Sequence, residues 1–117
     1  MEESVKKEIK EYIKTLKLNC SINEFKDLVD WNDISYYQKL SEKFIREFKD
    51  LVDWNNISYD QELSESFIYE FRNKLNIEKL IERELITEER LNEFEKLEKE
   101  HLKKISKRSY RFSIMDI

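Results

Sequence analysis

The chain has 117 residues, 41% of them charged and 39% apolar, with 22 Lys and Arg against 26 Asp and Glu, and it contains neither Gly nor Pro. The length predicts a single domain, and seven Phe, six Tyr and two Trp set among regularly spaced Leu, Ile and Val can build a modest core in a very polar chain. Without Gly there is no phosphate-cradling loop, dinucleotide fingerprint, nucleophile elbow or ordinary calcium loop, because each needs Gly where the backbone takes positive φ or closely approaches a ligand.

At the N-terminus Val5, Ile9, Tyr12, Ile13 and Leu16 make one amphipathic stripe. This predicts a helix over residues 3–18, with Asn19 as its stop in the absence of Gly. Ser21-Ile-Asn-Glu24 then spells a capping box, in which a hydroxyl and a carboxylate satisfy free N–H groups at a helix start. Residues 25–47, FKDLVDWNDISYYQKLSEKFIRE, are followed by residues 48–70, FKDLVDWNNISYDQELSESFIYE, identical at 18 of 23 positions. A decayed third copy occupies 71–93, with Phe71, Ile77, Leu80, Ile86 and Leu91 in register with Phe48, Trp54, Ile57, Leu63 and Ile68.

Within each copy Asp30 or Asp53 precedes Trp31 or Trp54 as the N-cap of a single helical turn. Ser35-Tyr-Tyr-Gln38 and Ser58-Tyr-Asp-Gln61 spell further capping boxes. Ser41 and Ser64 cap a principal helix, predicted over 41–52 and 64–75 from the spacing of Phe44, Ile45, Phe48, Leu51 and Val52. Each unit thus reads as one long and two short helices. Thr87 is expected to cap a last helix to about residue 107, with Leu91, Phe94, Leu97, Leu102 and Ile105 on one side. Nowhere does apolar/polar alternation persist, so no sheet is predicted.

A 23-residue unit cannot bury its apolar face alone. The predicted fold is therefore all-α, a short helical-repeat solenoid forming one domain over 1–117. Its N-terminal cap is 1–20, its repeats are 21–93, and its C-terminal cap helix and tail are 94–117.

The pattern F-x-D-x-V-D-W-x-x-I-S-x-x-Q-x-L-S-E-x-F-I-x-E, at Phe25 to Glu47 and Phe48 to Glu70, resembles a tandem repeat of uncharacterised proteins of giant DNA viruses and bacteriophages. The resemblance implies a viral origin and a binding role. Ala is absent while Lys, Glu, Ile and Asn abound, the bias of a very AT-rich coding region, which agrees with such a source.

No uncharged apolar run approaches a membrane span, and the first residues have no signal-peptide pattern, so a soluble, cytoplasmic protein without membrane contact is expected. Cys20 and His101 are the sole residues of their types and make no zinc site by themselves. Cys20 reads as a small apolar residue, and His101, near the middle of the last apolar stripe, as a packed, hydrogen-bonded side chain. Trp31 and Trp54 could be imagined as a ladder for stacking bases, but their fixed phase in both copies predicts packing between units. The acidic side chains read as caps and solvated faces, because no base, nucleophile or ligand set completes a catalytic constellation.

Charge is uneven, with net 0 over 1–24, −7 over 25–93 and +3 over 94–117. Lys103, Lys104, Lys107, Arg108 and Arg111, interleaved with Tyr110, form a run that could contact phosphates. The two close copies differ at Asp33/Asn56, Tyr37/Asp60, Lys39/Glu62, Lys43/Ser66 and Arg46/Tyr69. None belongs to the apolar stripe, so the differences are expected where only solvent or a partner touches, with an exposed Lys39–Glu62 pair as the simplest account. The candidate partner surface is accordingly Lys43, Arg46, Asp60, Glu62, Ser66 and Tyr69. The functional expectation is a non-enzymatic interaction module, without metal or cofactor, with which a phage or virus binds and inhibits a host protein, as an anti-defence or anti-CRISPR inhibitor does. The alternative is a nucleic-acid-binding helical repeat that uses the basic C-terminal segment.

Overall fold

The computed structural model describes the backbone of residues 1–115 and the side chains of residues 1–102. The described residues form eight helices and no strand, so the chain is all-α. The first helix, α1 (Glu3–Thr15), buries Val5, Ile9 and Tyr12, the predicted stripe. It ends earlier than expected. Lys17, not Asn19, reverses the chain, at φ 55°. The N–H of Leu18 bonds the Ile13 carbonyl at 2.9 Å and that of Lys17 the Lys14 carbonyl at 3.2 Å, a Schellman closure in which lysine occupies the left-handed position glycine usually fills.

Next come α2 (Ile22–Leu28), α3 (Trp31–Tyr37), α4 (Glu42–Glu47), α5 (Trp54–Asp60), α6 (Glu65–Glu70) and α7 (Ile77–Glu82). The Ser21–Glu24 capping box forms with both of its hydrogen bonds. Asp30, Asp53 and Asn76 cap α3, α5 and α7 through their side-chain oxygens, and Ser41 and Ser64 cap α4 and α6.

Two local expectations are corrected. The principal helix does not run to 52 and 75; α4 and α6 stop at Glu47 and Glu70, and the chain continues in turns. Continuous helix would commit the Lys49 carbonyl to the N–H of residue 53. Instead that carbonyl accepts the Trp54 indole N–H at 2.9 Å, while the Asp53 N–H donates to the Ser35 hydroxyl at 3.1 Å. The turn therefore folds Trp54 back onto Phe71, with ring centroids 5.0 Å apart, and leaves Leu51 43% exposed, although the helical stripe would have buried it. Trp31 repeats this arrangement on the Lys26 carbonyl and on Phe48. Both tryptophans are half-buried on the edge of the core.

The second correction concerns the capping boxes at 35–38 and 58–61. No helix starts there. Ser35 and Ser58 lie inside α3 and α5, fully buried, and Gln38 and Gln61 close those helices. The unit holds two short helices instead of one long and two short. The same spacing serves a different purpose, because Ser35, Ser58 and Gln61 make contacts between copies and Gln38 offers its carbonyl to Gln61.

One apolar cluster runs from Val5 to Ile86, with Phe25, Phe44 and Phe67 among its fully buried members. Around it, α1 packs on α2 and α4, while α3 packs on α5 and α5 on α7. The last helix, α8 (Glu88–Met115), touches this body through Leu91 and Phe94, which are half-buried. Beyond them Leu97 is 61% and Leu102 57% exposed, and His101 is exposed instead of packed. Ile105 lies outside the described side chains. No described helix is long and apolar enough to cross a membrane.

Candidate interaction surface

The polar side chains within the body join one sequence copy to the next. The Asp53 N–H reaches the Ser35 hydroxyl, and the Asn76 N–H reaches the Ser58 hydroxyl at 2.9 Å. Gln61, 2% exposed, donates its amide to the Ser35 and Gln38 carbonyls at 3.0 and 2.6 Å and accepts the Leu40 N–H at 2.8 Å. One step on, the Arg83 guanidinium donates to the Ser58 carbonyl at 2.7 Å. On the other row of helices, the Glu42 carboxylate accepts the N–H and hydroxyl of Ser64 at 2.6 and 2.9 Å. The Glu8 carboxylate of α1 does the same for Ser41, at 3.1 and 2.5 Å. Buried backbone groups cost about 1–3 kcal/mol each when left unpaired, so the contacts of the buried Ser35, Ser58 and Gln61 favour the close approach of adjacent copies, while those of Ser41 and Ser64 lie at the surface.

The ridge expected to meet a partner is largely engaged within the chain. Lys43 pairs with Glu2 at 2.9 Å. Arg46 holds Glu70 through two hydrogen bonds of 3.2 and 2.8 Å and lies 5.5 Å above the Phe67 ring. That guanidinium holds the Glu70 carboxyl below the usual carboxylate range. Tyr69 stacks on Phe94 at 5.3 Å, beneath the Arg72 guanidinium, and its hydroxyl donates to Glu98, which raises the phenol above its ordinary value. The ring that was expected to anchor a partner is thus the seat of α8. Asp60, Glu62 and Ser66 remain exposed, with the Ser66 hydroxyl 3.3 Å from that of Ser64. Lys103, Lys104, Lys107, Arg108 and Arg111 lie outside the described side chains.

The opposite end carries a surface that the sequence reading missed. A groove of about 420 Å³ opens between the end of α1 and the upstream face of α3, lined by Leu16, Leu28, Val29, Asp33, Tyr37 and Gln38 among others. Leu28 is 57% and Tyr37 73% exposed, and Tyr36 meets Tyr37 edge-on at 4.6 Å. The signal was present in the differences between copies: Asp33/Asn56 and Tyr37/Asp60 both fall on this face.

Among the described residues, no group of three or more His, Cys, Asp or Glu side chains is placed to hold a metal ion. Cys20 is a half-buried free thiol packed against the core. No protein-family model, no curated protein and no solved structure matches the chain.

Proposed function

We propose that this chain is a non-enzymatic protein-interaction module, a short solenoid of 23-residue helical units closed by α1 and α8. In this reading a phage or virus encodes it to bind and inhibit a host protein in the host cytoplasm, with an anti-defence role as the leading candidate. The solenoid reading is supported by the recurrence of the same polar contacts one sequence period apart, Asp53 to Ser35 and Asn76 to Ser58. The binding reading is carried by one observation. The seat that α5 offers to α3 is present again on α3, where it stands open as an apolar groove with Tyr37 at its mouth. Exposed apolar surface of this kind marks sites where proteins meet.

The test is photo-crosslinking in lysate of a candidate host, using the full chain with a photoreactive residue at position 37, with and without nuclease. A discrete crosslinked protein that survives nuclease is the expected result. Association lost on nuclease treatment or at raised salt would shift the function to nucleic-acid binding by the basic segment from Lys103 to Arg111.

A further inference from the structure

One period separates Val29, Asp33, Tyr37 and Gln38 from Val52, Asn56, Asp60 and Gln61. On α5, this set receives a helix. Val52 and Gln61 are buried there, the Gln61 amide holds the carbonyls of Ser35 and Gln38, and the Asn56 amide donates to the Asn32 carbonyl at 3.3 Å. On α3 the corresponding Val29 and Gln38 are half-exposed and line the groove. The backbone is therefore shaped to receive a helix, and Gln38 stands where Gln61 grips the carbonyls of one.

The chemistry of the seat has changed at two positions. Asn56 can donate to a carbonyl, whereas the Asp33 carboxylate can only accept and would repel a carbonyl placed in that position. A helix of this chain's own repeat, from a second copy, would bring such a carbonyl with no positive side chain to offset it, since α3 (WNDISYY) and α5 (WNNISYD) contain neither Lys nor Arg. Asp30, whose carboxylate caps α3 by accepting the N–H groups of Asn32 and Asp33 at 3.0 and 3.1 Å, also lines the groove and adds to its negative charge. Tyr37, in place of Asp60, adds an exposed aromatic ring, a favoured anchor at protein interfaces.

We infer that the upstream face of α3 is a docking site for an amphipathic helix of a partner protein that sets a lysine or arginine against Asp33. Its apolar side chains fill the groove between Leu16 and Leu28, its ring contact is Tyr37, and the free carbonyls of its last turn accept the Gln38 amide. This inference rests on the protein-binding reading above and gives it a location and a charge preference.

The experiment is parallel selection of a phage-displayed library of random helical peptides on the full chain and on its Asp33→Lys variant. Asp33 is exposed, so the variant should fold, which circular dichroism checks. Peptides selected on the native chain should be amphipathic and carry Lys or Arg. Their affinity should fall about tenfold or more on Asp33→Lys and on Leu28→Asp. Peptides selected on Asp33→Lys should carry Asp or Glu instead. Selection without a charge preference, or of peptides that bind the variants and the native chain equally, would overturn the assignment. Lysine-directed crosslinking of the native full chain in the same lysate, with nuclease, reports a bound protein at any face, so failure of the location at α3 is distinguishable from failure of the protein-binding reading.

Discussion

The junction of α3 with α5 and the junction of α5 with α7 are built on the same two acceptors, a buried serine hydroxyl and a main-chain carbonyl, yet they are closed by different residues. Gln61 closes the first with a neutral amide, and Arg83 closes the second with a guanidinium. The third copy carries Glu84 where the others carry Gln38 and Gln61, and the neighbouring arginine supplies the missing donor. The preceding helix therefore sets the requirement. Its buried carbonyl must be paired, while the identity and position of the donor are free to drift. At the third such face, upstream of α3, no earlier copy of that helix stands, and although Gln38 is retained in place of Gln61, the second donor has changed, with Asp33 in place of Asn56.

The largest expected effect comes from breaking the phase between junctions. Removing residues 48–70 as one block sets the Ser35 hydroxyl opposite the Asn76 N–H and the Ser35 carbonyl opposite Arg83, so both Ser35 acceptors meet a donor, while the Gln38 carbonyl and the Leu40 N–H lose Gln61. That variant should unfold cooperatively and keep its helicity, though at lower stability. Removing only residues 48–52 takes Val52 from the core and leaves Ser35 without its amide partner, and should abolish cooperative unfolding. Thermal unfolding followed by circular dichroism distinguishes them. Equal loss in both would show that the two junctions are not interchangeable.

Next in size is the contrast between Gln61→Leu and Arg83→Leu. The first strands two carbonyls and the Leu40 N–H in a buried site and should cost about 3 kcal/mol or more. The second strands one carbonyl at a half-buried site and should cost about 1–2 kcal/mol. Urea denaturation of the two variants measures the gap, and a larger loss for Arg83→Leu would reverse the ranking of the junctions.

Smaller effects come from pH, and they separate the row of α1, α4 and α6 from the row of α3, α5 and α7. The carboxyls of Glu2 and Glu70 are held low by Lys43 and Arg46, and that of Glu24 by the backbone and hydroxyl of Ser21. A lowered carboxyl contributes stability above its unfolded value of about 4.3, and that contribution is lost as pH falls through the folded value. The Tyr12 phenol is raised by burial and by its bond to Glu8, and the Tyr69 phenol by its bond to Glu98. Their contribution is complete below about pH 10 and is lost as pH rises beyond it. The melting temperature should therefore be flat between about pH 5 and about pH 9 and fall on both sides. Tyr12→Phe should flatten most of the alkaline limb. A native-like alkaline limb in that variant would remove Tyr12 as its source.

The smallest effect compares the two helix ends closed without glycine. Lys17 at φ 55° and Glu84 at φ 62° occupy the left-handed region at a cost that a Cβ imposes. Lys17→Gly and Glu84→Gly should each raise stability by up to about 1 kcal/mol, because the relief of strain slightly exceeds the added chain entropy of glycine. A loss in either variant would mean that its side chain contributes more than its backbone strain costs.

The 23-residue period, the all-α class, the N-caps at Asp30, Ser41, Asp53 and Ser64, and the core phase of Phe25, Phe44 and Phe67 follow from the sequence by itself. These are local or periodic properties, since a cap joins groups two or three residues apart and a buried face repeats with the helix turn. The resting place of α8 on Tyr69, the early ends of α4 and α6, and the use of Ser35, Ser58 and Gln61 were decided by tertiary structure. For the helix ends and the serine–glutamine sets a local pattern allowed two outcomes, a capping box or a buried junction, a continued stripe or a turn. The choice went to the one that paired a carbonyl or amide of the neighbouring copy, because an unpaired buried backbone group costs more than a capping hydrogen bond contributes. The groove at α3 has the same origin. A face stands open where the neighbour that elsewhere covers it is missing, and spacing along one chain does not carry that information.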